Sequence, residues 1–575
     1  MALDPSHRAQ TTPDGQALNA GFRHMTREEF LHAGTEVLSF IADYYAAMGL
    51  FSTDSAADAR GDSSISVSPH ARFTPGEVTS VRSLSKPGDL LSALPMHAPS
   101  HPEPWRALAD DVQSLIMPGV THWQHPGFYG FFPANASPPS VLGEMLSAGL
   151  GVQGMLWATS PACTELEIRV LDWLARLAGL PERFWNQREP GGAFLPGGSV
   201  ILTTASEAVL VALVAARKRA LDRFIAANPN ATAQPGLMVY TSSQAHSSVI
   251  KAAMVAGLCA GPNPDAHDAN LIGPIGLGAQ QSGVRLIPVD DRGAMRTDDL
   301  QAAVENDVKA GRIPVLICAT TGTTASMGFD NIRAAGTIAR AHNAWLHVDS
   351  AMAGVASICP ELRREVWGDE RCESLTLADS VCFNPHKWML TNFDCDAFYV
   401  ADRKALTAAL AIAPSYLKNA ASDSGAVVDY RDWQIALGRR FRSLKLWFVM
   451  RSYGTSGLQA FIREHVRLAQ LFENFVQSDS RFELAAPRGL SLVCFRLRPI
   501  AGQSAQQIDA MNAKLLEAVN ATGRHLLTHA VLPAGSSPAR YVLRLSIGGS
   551  ATREVHVRSV WEDLQRCAAT LGTLS

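Results

Sequence analysis

In Phe383-Asn384-Pro385-His386-Lys387-Trp388 a lysine follows the apolar run Ser380-Val381-Cys382-Phe383 and sits beside a tight polar turn. Pro385 ends that run, and a second one, Ala397-Phe398-Tyr399-Val400, comes shortly after; both read as strands. Partly apolar surroundings disfavour an ammonium, so a lysine held between histidine and tryptophan is a better nucleophile near neutral pH. Such an amine can form an imine with a carbonyl cofactor. The hexapeptide by itself fits equally a surface lysine whose stem lies over an aromatic ring.

Other constellations bear on that choice. Leu346-His347-Val348-Asp349 ends a predicted strand in a carboxylate. Asp349 either caps the next helix or pairs with a protonated pyridine nitrogen and keeps that ring an electron sink. Thr203-Thr204-Ala205-Ser206-Glu207 opens a helix predicted over Ala208 to Arg223, gathering hydroxyls and N–H groups at a helix start. That is an ordinary N-cap or a phosphate site. Gln244-Ala245-His246-Ser247-Ser248 comes after the predicted strand Leu237 to Tyr240. His246 is either a satisfied structural histidine or an imidazole stacked on a planar cofactor. The Thr324 hydroxyl and the Asn384 amide add polar groups at the same sheet edge, where local turn geometry is the other use for them.

Competing chemistries find less support. His122-Trp-Gln-His125 lacks further spaced metal ligands, Gly191 to Ser199 is glycine-rich without a P-loop lysine, and no G-x-S-x-G elbow occurs.

The elements that must position these residues can be read from pattern. At 575 residues, two or three domains are expected. A helix is predicted from Thr26 as cap, with Glu29 at the capping-box position. It belongs to a helical segment over residues 1–137, interrupted by a Ser-, Asp- and Gly-rich insertion near 52–90 that reads as flexible. Residues 138–444 alternate apolar strands with helices, which predicts an α/β fold with a mostly parallel sheet; ligands bind at the C-terminal ends of such strands. The clearest unit is Pro314 to Thr320, a helix over Asn331 to His342, then Trp345 to Asp349. Residues 445–575 predict a small α+β domain, with strands over Leu490 to Leu497 and Tyr541 to Ile547 and a final helix from His556 to Leu571.

A formal net charge of -3 provides no basic excess to track nucleic acid or an anionic membrane. The nine cysteines are scattered, without CxxC, and read as buried thiols of a reducing compartment. With a polar N-terminus and no run of about 20 apolar residues, the expectation is a cytoplasmic protein.

Together these motifs resemble the group II pyridoxal-phosphate decarboxylases, and most closely the aromatic-L-amino-acid decarboxylases. The resemblance runs from about Met25 to Ala569. It is carried by Met117-Pro-Gly-Val-Thr-His-Trp123, Ser160-Pro-Ala-Cys-Thr-Glu-Leu-Glu167, Asn384-Pro-His-Lys387 and Leu437-Gly-Arg-Arg-Phe-Arg-Ser-Leu-Lys445, in that order. It implies an aspartate-aminotransferase-type fold and a homodimer with active sites at the subunit interface, residues 1–137 serving dimerisation. The implied cofactor is pyridoxal 5'-phosphate, held covalently by Lys387, with Asp349 on the pyridine nitrogen and His246 stacked on the ring. Thr204, Ala205, Ser206, Asn384 and His386 match positions around the phosphate, Thr324 a cofactor contact, and Ala351 the small residue against the other ring face. Tyr416, in Pro414-Ser-Tyr-Leu-Lys418, matches the family's loop tyrosine that returns a proton to Cα.

For the substrate the resemblance implies an aromatic amino acid. Trp123, Phe128, Phe131 and Phe132 supply apolar surface, and Gly438 occupies a position where glycine accompanies bulky rings. Phe131, Ala134, Met155 and Met352 depart from the animal enzymes' tyrosine, threonine, phenylalanine and tyrosine, and Ser350-Ala351-Met352 is similar to bacterial members. Tryptophan, 5-hydroxytryptophan, DOPA, tyrosine and phenylalanine therefore all stay open. Two other outcomes are an aldehyde synthase, in which oxygen intercepts the decarboxylated adduct, and a non-catalytic scaffold of the same fold. Relatives of the first kind commonly carry phenylalanine in place of Tyr416 or asparagine in place of His246.

Overall fold

The structure, a computed structural model, describes residues 10–11, 17–18, 23–51, 78, 80–83, 85–190, 192–262, 270–276, 280–412, 425–499, 502–534 and 537–572. Its main element is an eight-stranded sheet built from β1 (Gly198–Leu202), β2 (Leu237–Ser242), β3 (Leu271–Ile275), β4 (Ser282–Ile287), β5 (Ile313–Thr320), β6 (Trp345–Asp349), β7 (Ser380–Phe383) and β8 (Asp396–Val400). The spatial order is β1-β8-β7-β6-β5-β2-β4-β3. β7, β6, β5, β2 and β4 run parallel, β8 is antiparallel to both neighbours, and β3 is an antiparallel edge strand. This is the predicted α/β class.

Strands buried on both faces need apolar residues at consecutive positions. β1, β2, β6, β7 and β8 are buried at every residue. Leu346, Val348, Val381 and Ala397 face one core, and Trp345, Cys382 and Phe398 face the other. That second core is closed by helix Ala205–Ala227, whose alanines Ala208, Ala212, Ala215 and Ala216 bring it close to the sheet. The helix is longer than the predicted Ala208 to Arg223.

Helix Arg27–Ala47 starts at the predicted capping box: Glu29 N donates to Thr26 Oγ1 at 3.1 Å, and Thr26 N donates to Glu29 Oε2 at 2.8 Å. Of the insertion near 52–90, residues 52–77 lie outside the described residues. The C-terminal part holds a four-stranded antiparallel sheet, β9 (Phe482–Leu484), β10 (Leu492–Leu497), β11 (Thr528–Ala534) and β12 (Ser537–Ser546), ordered β9-β10-β12-β11. Helices Ala505–Ala521 and Glu554–Gly572 and the second half of Arg442–Ser478 share a core with it. Helix Arg442–Ser478 spans position 444/445, breaking at Gly454, and its first turns pack on helix Pro138–Leu150; a Cβ on Gly143 would come within 2.7 Å of Lys445 Cα.

Candidate active site

Each parallel strand that bears on the site ends in a residue named from sequence. After β1 the chain enters helix Ala205–Ala227 through Thr204, whose Oγ1 accepts from Glu207 N; Thr203 is tied to Glu207 Oε2 through both its N–H and its hydroxyl. β2 leads to His246, β5 to Thr324, β6 ends at Asp349, and β7 leads through Asn384 to Lys387. Their side chains meet at a cavity of about 220 Å³ lined by Phe132, Thr204, Ala205, Ser206, His246, Ser248, Thr320, Gly322, Thr324, Asp349, Ala351, Asn384, His386, Lys387 and Phe393.

Lys387 stands on the short helix Pro385–Trp388, anchored by buried neighbours on both sides. Trp388 Nε1 donates to His465 Nδ1 at 2.9 Å, and Cys395 N donates to His386 Nδ1 at 2.9 Å. Asn135 braces the same turn, donating to the Lys387 carbonyl at 2.6 Å. Lys387 is therefore no surface lysine: its Nζ lies 5.5 Å from the centre of the Phe132 ring inside the cavity. Burial pushes its amine below the ordinary lysine range, against the opposing pull of Asp349, Asp396 and Cys382. The neutral, nucleophilic form of the amine is thereby favoured relative to an exposed lysine.

Burial also lowers His386, to about 3, with Lys387 adding to the effect. The ring is thus neutral, and because Nδ1 accepts from Cys395 its proton sits on Nε2. His246 is lowered by burial, with Asp349 opposing and Lys387 assisting, and its Nδ1 accepts from Ser248 N at 3.2 Å. Asp349 is 3% exposed and takes Ala351 N on Oδ1 at 3.0 Å. Gly322, at φ +91°, is required where it is: a Cβ would meet Ala353 Cβ at 2.6 Å.

The residues fit pyridoxal phosphate on the structure's own terms. Asn384 Oδ1 and Thr320 Oγ1 are buried without a partner among the described residues, and both residues line the cavity. Buried polar atoms of this kind call for a bound partner. The first turn of helix Ala205–Ala227 has N–H groups suited to a phosphate, the His386 Nε2–H is a further donor, and Lys387 and Asp349 face the same space.

Among the expected substrate residues, Phe132 lines this cavity. Met352 does not: it is fully buried in the core beneath β6. Trp123 and Phe131 stack on each other at 5.7 Å, both exposed, and with Met155 and Gly438 they lie outside the cavity lining. Tyr416 lies outside the described residues.

Sequence reasoning missed Thr320, Gly322, Ser248 and Phe393, and also Asp396 just behind the site. Asp396 opens β8 opposite Leu202, fully buried, with neither carboxylate oxygen paired among the described residues. The strand pattern had begun at Ala397, leaving this charge to be read as loop. Burial, with Asp349 and Glu207 nearby, pushes its carboxyl well above the usual range, while Lys387 opposes. A raised folded-state value means that its contribution to stability is complete below the unfolded value and is lost as pH rises toward the folded one. Asp396→Asn should therefore melt increasingly higher than the parent as pH is raised from 5 to 8. Melting curves that stay parallel across that range would refute this.

The comparisons with known proteins agree with the geometry. The family described as "Pyridoxal-dependent decarboxylase conserved domain" matches residues 87–498. The chain is 42% identical over 549 residues to a phenylacetaldehyde synthase of Arabidopsis thaliana, covering 95% of this chain and 97% of that one. It is 43% identical over 489 residues to an aromatic-L-amino-acid decarboxylase of Bos taurus, covering 84% and 90%. A crystal structure of Oryza sativa TDC with PLP and tryptamine superposes with a TM-score of 0.81 at 35% identity, over 96% of this chain and 99% of that one. With its lysine, carboxylate and helix start converging at the strand ends, the chain belongs to the pyridoxal-phosphate-dependent decarboxylases.

Proposed function

We propose that this protein uses pyridoxal 5'-phosphate to decarboxylate an aromatic L-amino acid, releasing carbon dioxide and the corresponding amine. The observation that carries the reading is the meeting of a half-buried lysine, a buried carboxylate, an imidazole and a helix start in one cavity. When bound, the cofactor supplies an electron sink for the pair left at Cα. Lys387 holds it and exchanges for the substrate amine, and Asp349 keeps a proton on its ring nitrogen. His246 and Ala351 cover its two faces. Thr204, Ala205, Ser206, Asn384 and His386 bind the phosphate, with Thr324 as a further contact. Tyr416 is proposed as the acid that returns a proton to Cα.

Phe132 gives the substrate ring an apolar wall, and Met352 supports the floor from the core. Trp123, Phe131, Met155 and Gly438 would act from outside the cavity, at a subunit interface. A homodimer is supported by exposed Leu142, Met145, Leu146 and Leu150 along helix Pro138–Leu150 and by exposed Phe30, Leu31, Val37 and Leu38 on Arg27–Ala47. Segments 1–137, 138–444 and 445–575 keep their proposed roles of dimerisation, cofactor binding and small domain. No helix among the described residues is long and apolar enough to cross a membrane. All nine cysteines are free thiols and eight are buried, which supports a reducing, cytoplasmic setting.

The similarity to a protein named phenylacetaldehyde synthase favours a second reading, in which oxygen consumption and peroxide accompany an aldehyde product. One experiment separates the two. The purified protein with pyridoxal phosphate is offered tryptophan, 5-hydroxytryptophan, DOPA, tyrosine, phenylalanine and histidine together, and products are read by mass spectrometry alongside a peroxide assay. Amines without peroxide are expected. Peroxide rising in step with carbon dioxide would replace the first reading by the second, and absence of any product would defeat both.

A further inference from the structure

Behind Asp349, on the face of the sheet covered by helix Ala205–Ala227, four side chains make a continuous polar chain through a largely apolar core. β6 and β7 are parallel, with His347 paired to Ser380 and Asp349 to Cys382. Alternation along each strand turns Trp345, His347 and Asp349 to one face, together with Ser380 and Cys382. Trp345 Nε1 lies 2.8 Å from Ser380 Oγ, and Ser380 Oγ lies 2.8 Å from His347 Nδ1. His347 Nε2 lies 3.6 Å from Cys382 Sγ, and Cys382 Sγ lies 4.0 Å from Asp349 Oδ1. Trp345 is 1% exposed, and His347, Ser380 and Cys382 are wholly buried.

The direction of this chain is set by chemistry. An indole N–H can only donate, so Ser380 Oγ accepts from Trp345 and has one proton to give, which goes to His347 Nδ1. Burial lowers His347 to about 4, with Asp349 opposing, so the ring is neutral. With Nδ1 accepting, its single proton is on Nε2, facing the sulfur. Burial, with Asp396 and Asp349 nearby, pushes Cys382 well above the ordinary thiol value, so it keeps its proton. Among the described residues the carboxylate oxygen within hydrogen-bonding reach of its sulfur is Asp349 Oδ1, which already accepts from Ala351 N.

We propose that Ser380, His347 and Cys382 are positioning residues, a one-way hydrogen-bond relay started by Trp345 that commits Asp349 Oδ1 to the protein and presents the other oxygen to the cofactor's ring nitrogen. The proposal rests on the cofactor reading above. Outer partners that orient a liganding group in this way are worth substantial factors in affinity. Cys382→Ala should weaken pyridoxal phosphate binding to the apoprotein by about 3- to 10-fold, the worth of one hydrogen bond. Cys382→Ser, which keeps a donor, should restore it to within about twofold by the same estimate.

The direct readout is infrared. The difference between parent and Cys382→Ser isolates the Cys382 S–H stretch; it should sit at a hydrogen-bonded frequency and move to the free-thiol position in Asp349→Ala. A free-thiol band in the parent, or a band indifferent to Asp349→Ala, would overturn the relay, as would equal affinities of the Ala and Ser variants. The two failures are distinguishable: a protein that binds no pyridoxal phosphate loses the proposed function, yet its S–H band still tests the relay. Cys382→Ser serves the infrared arm even if the alanine variant does not fold.

Discussion

Lys387→Ala should abolish amine production, with a loss on the order of 10⁶-fold, the scale seen when a covalent catalytic group is removed. Borohydride treatment of the parent loaded with pyridoxal phosphate should leave a pyridoxyl adduct on the peptide containing Lys387, found by mass spectrometry of a digest, and none in the variant. The physical basis is the amine's environment: burial disfavours the ammonium more than Asp349, Asp396 and Cys382 favour it. A lowered value means that the neutral amine dominates at a pH below the ordinary lysine range. The rate at which the apoprotein captures pyridoxal phosphate should thus rise with pH and level off below pH 10.5, the ordinary lysine value. A capture rate still climbing beyond that point would show that the amine is not desolvated as described. An adduct on another lysine would remove Lys387 from its role.

The largest effect on stability is expected at Arg439. Its guanidinium and the Glu167 carboxylate are almost wholly buried and form a two-pronged pair, with both N–H···O distances 2.9 Å. Arg439 also donates to Gln434 Oε1 at 2.9 Å and to the Ile201 carbonyl at 2.8 Å, and Glu167 Oε1 accepts from Ile201 N at 2.7 Å. The pair therefore clamps both backbone groups of a residue in β1, the strand that delivers Thr204 to the cavity. Arg439→Ala leaves a buried carboxylate without its counter-charge and should cost about 3–5 kcal/mol. Arg439→Lys cannot reproduce the fork and should recover only part of it. Arg439→Met combined with Glu167→Leu removes both charges and should melt closer to the parent than Arg439→Ala does. Thermal melts of the four proteins decide the matter; a double variant no better than the single one would show that the clamp, and not charge burial, carries the stability.

Much of the candidate site was legible in the chain because the chemistry proposed for it is local. A carboxylate or lysine directly after an apolar run, and hydroxyls at a helix start, are visible as candidates by type and offset, and their combination singled them out. Thr204, His246, Asp349 and Lys387 are of this kind, as is the Thr26 capping box. Gly322 and Phe393 were not legible: a positive φ wedged against Ala353 and an exposed ring beside His386 depend on segments that meet only after folding.

The same limit appears in reverse at Met352, which comes just after the site motif in sequence yet points into the core because the chain turns away after β6. Glu167 and Arg439 stood in two separately recognisable blocks, and nothing in either announced that they pair. The sequence by itself determined the α/β class, the resemblance and the residue types at the strand ends, since these rest on periodicity and short-range offsets. The tertiary structure alone decided which charges are desolvated and which paired. Burial depends on what the rest of the chain lays over a residue: it left the Asp396 carboxylate without a partner among the described residues, neutralised His386 and His347, and lowered the amine of Lys387.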